Sequence, residues 1–229
     1  MNKINYSKEF DKYIDDIMSR GLRPRLLLHA CCAPCSSYCL ELLRQYFDVT
    51  LFYYNPNITN EAEYRKRTEE ARRLVEEYNR QVIERDFEGM NSDENASLIS
   101  FMEGKYDPEN WLSAVKGMED IPEGGDRCTK CFMLRLDEAG RVAAEGGFDL
   151  FTTTLTISPL KNADKLNLAG REAADKYGIF FLPSDFKKKN GYKRSIELSK
   201  RFDLYRQDYC GCAYSKAQRE REKALKDRQ

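Results

Sequence analysis

Short apolar runs alternate along this chain with segments of helical period. Residues 25–29, Arg-Leu-Leu-Leu-His, read as a buried strand, because consecutive leucines leave no face for solvent. Residues 36–46 read as a helix, with Leu40, Leu43 and Phe47 at helical spacing. A second strand is expected over 49–54, closed by the turn residues Asn55-Pro56-Asn57. A long charged helix is expected over 61–78 and a short strand over 81–85. A β-branched strand over 149–154, a helix over 162–177 and a strand over 179–182 continue the alternation. Strands alternating with helices predict an α/β fold, a single Rossmann-like parallel sheet with helices on both faces.

The stretch 87–127 breaks this rhythm. It holds Trp111 and the loop sequence Ile121-Pro122-Glu123-Gly124-Gly125, and it is expected to be a helical insertion. The expected organisation is therefore an N-terminal helical extension over 1–24 and an α/β domain over 25–216, carrying a late cysteine-bearing segment. A charged C-terminal helix over 217–229 follows, to which no function is assigned. The 229 residues are enough for one large domain, and 41% of them are hydrophobic, enough for a sizeable core. Lys+Arg and Asp+Glu both number 38. That balance excludes a globally basic nucleic-acid binder, so any basic surface must be local. The first ten residues contain no continuous apolar stretch, and no apolar run is long enough to span a bilayer. A cytoplasmic protein with no membrane contact is expected.

In that compartment thiols stay reduced, so clustered cysteines point to metal or catalysis rather than to structural disulfides. There are eight: Cys31, Cys32, Cys35, Cys39, Cys128, Cys131, Cys210 and Cys212. The first group lies directly after the first strand, where ligands bind in an open parallel sheet. A phosphate-binding loop there would be rich in glycine. Residues 30–36, Ala-Cys-Cys-Ala-Pro-Cys-Ser, have none, and three thiols suit a soft metal instead. Cys128-Thr129-Lys130-Cys131 opens a helix over 132–145, where two sulfurs could converge on one centre. Cys210-Gly211-Cys212 could share a metal or close on each other. Buried free cysteines explain Cys39 but not three tight groups. A Cys₄ zinc site formed by two C-x-x-C pairs, or an iron–sulfur site plus a separate thiol pair, explains more. Spacing does not choose between the last two.

Six separated blocks in the same order resemble the QueH-type epoxyqueuosine reductases. They are residues 29–36 (HACCAPCS), 52–58 (FYYNPNI), 127–132 (RCTKCF), 151–162 (FTTTLTISPLKN), 185–188 (DFKK) and 205–215 (YRQDYCGCAYS). The resemblance covers about residues 25–216. It implies reduction of epoxyqueuosine to queuosine at the wobble position of tRNA, the last step of queuosine synthesis. It also implies a [4Fe–4S] cluster and no cobalamin. Matched residue by residue, Cys31, Cys32, Cys128 and Cys131 are the implied cluster ligands, and Cys210 and Cys212 the implied redox-active pair. Cys35 is placed near the cluster, as the candidate ligand of an additional iron. The implied partners are a tRNA anticodon loop carrying epoxyqueuosine and an unidentified electron donor, and the protein is expected to act as a monomer.

Reducing an epoxide to an alkene takes two electrons and two protons and releases water. Asp185, just past a strand end, is a candidate proton donor, with an N-cap or turn aspartate as the structural alternative. His29, the single histidine, is expected to be a satisfied core residue. Arg127 could meet a phosphate, the cluster sulfurs or a surface carboxylate. The basic loop Lys187-Lys188-Lys189-Asn190-Gly191-Tyr192-Lys193-Arg194 could follow an RNA backbone, and Tyr53, Tyr54 and Tyr209 could stack a base. Two other functions compete: a zinc-stabilised nucleic-acid-binding module without redox activity, and an ATP-dependent tRNA-modifying enzyme. The missing glycines after the first strand weigh against the latter.

Overall fold

The computed structural model describes residues 4–87 and 95–226. Helix α1 (Tyr6–Ser19) begins behind Asn5, whose side-chain oxygen accepts the Lys8 amide at 3.1 Å. Then come β1 (Arg25–Ala30), α2 (Ala33–Leu43), β2 (Asp48–Tyr53), α3 (Glu61–Glu84) and β3 (Ser100–Glu103). The short α4 (Pro108–Ala114) leads to α5 (Asp126–Glu145). They are followed by β4 (Leu150–Thr153), α6 (Ala163–Tyr177), β5 (Phe180–Phe181), α7 (Gly191–Arg201) and α8 (Ala213–Lys226). The strands form one parallel sheet in the order β3-β2-β1-β4-β5. Among the described residues no helix is long and apolar enough to cross a membrane.

Both faces of the sheet are covered, and strand alternation divides the core in two. Leu26, Leu28 and Ala30 of β1, with Val49, Leu51 and Tyr53 of β2, join side chains from α1, α2, α3 and α7. Leu27 and Phe52 point the other way and meet Phe151, Phe181 and the alanines of α5 and α6. Helix α1 docks its buried stripe of Tyr6, Phe10, Ile14 and Ile17, with Phe10 edge-on to Phe186 at 5.6 Å.

Two expectations need correction. The strand expected over 81–85 is the last turn of α3. Val82 and Ile83 have β-type side chains, but Ile83 is 72% exposed, so no sheet buries it. What continues the helix is a ladder of ion pairs from Arg80 to Glu77 and Glu84, together with buried Gln81 accepting from Arg44 at 2.9 Å. The third parallel strand instead lies inside the stretch expected to be a helical insertion. It is β3, an edge strand with half-exposed residues and no long apolar run. The Asn79 side chain fastens the approach to β3 onto α3, bonding both the N–H (2.7 Å) and the C=O (2.8 Å) of Ile99.

Helix α6 approaches β5 so closely that a Cβ on Gly170 would lie 2.4 Å from the Phe181 ring. That ring is itself wedged edge-on against Phe151, at 5.1 Å. Gly170→Ala should therefore destabilise the fold by about 1–3 kcal/mol through overpacking, despite the ~1 kcal/mol helix-propensity advantage of alanine. Urea unfolding of the two proteins measures the difference, and an unchanged or raised midpoint would contradict this packing.

Candidate metal centre

The site is built where β1 stops. Ala30 is the last strand residue, and Cys31 leads into Cys32, the extended N-cap of α2 (φ −171°, ψ 163°). Pro34 sits in the first turn of the helix, where a missing N–H is harmless. Ser36 and Ser37 send their hydroxyls back to the carbonyls of Cys32 and Pro34, each at 2.9 Å. The loop thus turns without glycine and presents its thiols in a fixed array. The Sγ atoms of Cys31, Cys32 and Cys35 all lie within 4.8 Å of one another, with Cys31 and Cys32 at 3.8 Å. Three converging soft donors fit a metal ion or a metal–sulfur group.

Neighbouring strand ends hold this array in place. Thr154, just after β4, accepts the Cys31 amide at 3.2 Å and directs its hydroxyl at the Cys31 sulfur at 3.5 Å. Asn55, just after β2, donates to the Ala30 carbonyl at 2.9 Å. Beyond the array lies a cavity of about 490 Å³, lined by Cys31, Cys32, Cys35, Arg135, Lys161 and Cys210 among others. Helix α5 supplies the second cysteine pair. Cys128 stands in its first turn, where its sulfur accepts the Gly124 amide at 3.2 Å, and Cys131 is one turn further in. Cys128 and Cys31 pack against the same apolar group, formed around Phe132, Leu136 and Leu155. Cys131 packs with Cys212, Trp111 and Val115. These two cysteines stand beside the three-sulfur group without belonging to it.

Cys210 and Cys212 face different surroundings. Cys210 is half-buried and lines the cavity, whereas Cys212 is buried. Between them Gly211 has φ +127°, a conformation that side chains rarely adopt. Ser215 braces the turn: its hydroxyl accepts the Cys210 amide and donates to Glu123, and its own amide reaches the Cys212 sulfur at 3.3 Å. From the other side, buried Arg67 donates to the Cys210 carbonyl at 3.1 Å.

The three-sulfur group carries charge unevenly. Hydrogen bonds from Cys32 and Cys35 hold Cys31 well below the usual thiol range, against the effect of burial, and the cations of Lys161 and Arg135 add to this. The same interactions push Cys35 up, so the group loses its first proton as a Cys31 thiolate. Burial is first among the forces on Lys161 and opposes its charge, but the sulfurs of Cys210, Cys31 and Cys35 outweigh it and raise its pKa.

The other expected residues distribute as follows. Cys39 is fully buried in the core. His29 is also fully buried, and its two ring nitrogens are bonded to Thr153 Oγ1 (2.9 Å) and the Tyr54 carbonyl (3.0 Å). Because a carbonyl only accepts, the proton sits on Nε2. Arg127 turns away from the cavity. It donates to the carbonyls of Met118 and Glu119 and lies over the Tyr214 ring, which ties down the loop before α5. Asp185 pairs with Lys187 and is not among the residues lining the cavity. In the basic loop, Lys187 is engaged by that aspartate and Lys189 by Asp11, whereas Tyr192 reaches the cavity rim. Tyr209 lines the cavity, and Tyr53 is buried in the core.

Several site residues escaped the sequence reading. Arg135 looks like one more charge on a charged helix, yet it is 1% exposed and lines the cavity. Its signal is position: it falls on the apolar stripe with Phe132, Leu136 and Ala139, one turn after Cys131. Helix α8, to which no function was assigned, places Ser215, Gln218 and Arg219 on the cavity wall.

The chain is similar to known proteins over most of its length. The family described as "Epoxyqueuosine reductase QueH" matches residues 26–218. Among curated proteins, an epoxyqueuosine reductase QueH of Streptococcus pyogenes serotype M1 is 41% identical over 213 residues, covering 93% of this chain and 78% of its own. The Staphylococcus epidermidis protein of that name is 39% identical over 215 residues, covering 93% and 85%. The one from Thermotoga maritima is 33% identical over 200 residues, covering 85% and 91%.

The burial of His29 has a pH signature. Burial first, then the nearby Arg135 charge, lowers its pKa from 6.5 to about 3. The unfolded chain therefore takes up this proton first as pH falls, and the folded state loses stability below about pH 6.5. The loss should be on the order of 3 kcal/mol by pH 4. His29→Gln, which keeps a donor but does not titrate, should flatten that part of the curve. Urea unfolding at stepped pH tests it, and parallel curves for the two proteins would refute it.

Proposed function

The chain belongs to the epoxyqueuosine reductase QueH family, and we propose that it performs this reduction with an iron–sulfur centre beside a redox-active dithiol. It is an oxidoreductase of queuosine biosynthesis whose substrate is a tRNA. In this proposal Cys31, Cys32, Cys128 and Cys131 hold a [4Fe–4S] cluster, and Cys35 is left to bind an additional iron. The carrying observation is the convergence of three sulfurs at the carboxyl end of β1, in the wall of a cavity that Cys210 also lines. The donors fit the group in kind: all are soft sulfurs, Cys31, Cys32 and Cys35 are close-spaced, and the Cys31 thiol is held below the usual range.

A bound cluster supplies single-electron transfer and Lewis acidity at iron. The chain's own residues do the rest. The Cys210 and Cys212 thiols give up two protons and two electrons and join as a disulfide. Both C–O bonds of the epoxide break, the oxygen leaves as water, and a C=C bond forms, so the exchange balances. An external electron donor then returns the disulfide to two thiols. Ser215 and Arg67 hold the backbone of Cys210 while its sulfur bond changes. At the cavity rim, Tyr209 and Tyr192 offer faces on which the wobble base of an anticodon loop can stack, and Arg206 offers charge to its backbone. Asp185, occupied by Lys187, receives no support as the proton donor.

Anaerobic purification followed by iron and acid-labile sulfide assay tests the centre. A brown protein carrying both is expected, and a colourless protein with stoichiometric zinc would overturn it. Cys131→Ser should lower iron and sulfide together. Cys210→Ser should abolish turnover and leave the visible spectrum unchanged. A lost spectrum in that variant would make Cys210 a ligand instead.

A further inference from the structure

Arg135 is a buried cation without a carboxylate. Among the described residues it forms no ion pair with Asp or Glu, and its Nε has no hydrogen-bond partner. Buried arginines elsewhere in the molecule are compensated differently: Arg67 has Glu63 at 2.7 Å, and Arg127 has two backbone carbonyls. An uncompensated buried charge costs several kcal/mol, and a neighbouring negative group offsets that cost. The candidates in the structure are sulfurs. Arg135 lines the cavity together with Cys31, Cys32, Cys35 and Cys210, and it stands one helical turn after Cys131.

The guanidinium also makes one directed contact. Its Nη2 donates to Asn55 Oδ1, and Asn55 Nδ2 donates to the Ala30 carbonyl. Ala30 immediately precedes Cys31, and Arg135 follows Cys131 by one helical turn. A relay of two buried side chains therefore joins the helix bearing one cysteine pair to the strand end bearing the other group. We propose that Arg135 is a positioning residue of the sulfur centre: through Asn55 it sets the spacing between the Cys31–Cys35 loop and Cys131, and its charge offsets theirs. The positioning half stands for any metal at these sulfurs, while the charge half rests on the iron–sulfur reading above.

The two halves separate in three variants. Arg135→Met removes both relay and charge, Arg135→Lys keeps the charge without the fork, and Asn55→Ala breaks the relay and leaves the charge. Each is reconstituted anaerobically as the full chain, and iron and sulfide per chain are measured. The reduction midpoint is followed by redox titration, and folding is checked by circular dichroism. All three should bind metal about tenfold more weakly or worse, as loss of a group that orients ligands does. Reduction adds negative charge, so the remaining cluster of Arg135→Met should have a more negative midpoint than wild type. The midpoints of Arg135→Lys and Asn55→Ala should stay near wild type. Wild-type metal content and midpoint in Arg135→Met would overturn the proposal. If that variant does not fold, wild-type loading of the other two would overturn it. Should the wild type bind zinc rather than iron, the iron–sulfur reading and the charge half both fail. Zinc content across the same variants then decides the positioning half, with weaker binding in all three supporting it and wild-type content overturning it.

Discussion

Parallel pairing of β1 with both β2 and β4 is the constraint on which the site depends. It sends the carboxyl ends of three neighbouring strands to one edge of the sheet. Each end then contributes something different. β1 runs into the three cysteines, β2 into Asn55, and β4 into Thr154. These three contributions lie far apart in sequence. They meet because hydrogen-bond register aligns Ala30 with Tyr53 and His29 with Thr153. A slip by one residue would turn Leu27 into the wrong core and carry Asn55 off the Ala30 carbonyl.

The central strands were legible in the sequence because burial on both faces writes a continuous apolar run. β3 was not, since an edge strand has less to bury: Ser100, Phe101, Met102 and Glu103 are all at least partly exposed. The end of α3 misled for the opposite reason. Val82 and Ile83 imitate a strand, while the forces that keep them helical are ion pairs and a buried amide contact with Arg44. Local composition shows the first and hides the second.

The cysteines were legible as groups, but their division of labour was not. Spacing could not show that Cys31, Cys32 and Cys35 form the tight set while Cys128 and Cys131 stand alongside it. Nor could it show that Cys212 is buried with Cys131 while Cys210 looks into the cavity. Polar residues were harder still. Arg127 and Arg135 lie two turns apart on one helix; the first fastens a loop and the second faces the sulfurs. Equal numbers of acidic and basic residues therefore describe the surface poorly. Some of the charge is spent in buried pairs, as with Arg67 on Glu63 and Arg194 on Glu41.

The loop that carries the three sulfurs turns without glycine, stiffened by Pro34 and tied by Ser36 and Ser37. A proline narrows the range of the unfolded chain as well, so little ordering entropy is left for the loop to lose. Small metal domains with flexible ligand segments use much of their binding free energy to fold. Here the ligand-bearing loop is organised by the strand end and its own hydroxyls. Free energy from an occupant is thus available to raise the stability of a chain already folded around it, in proportion to the logarithm of its concentration.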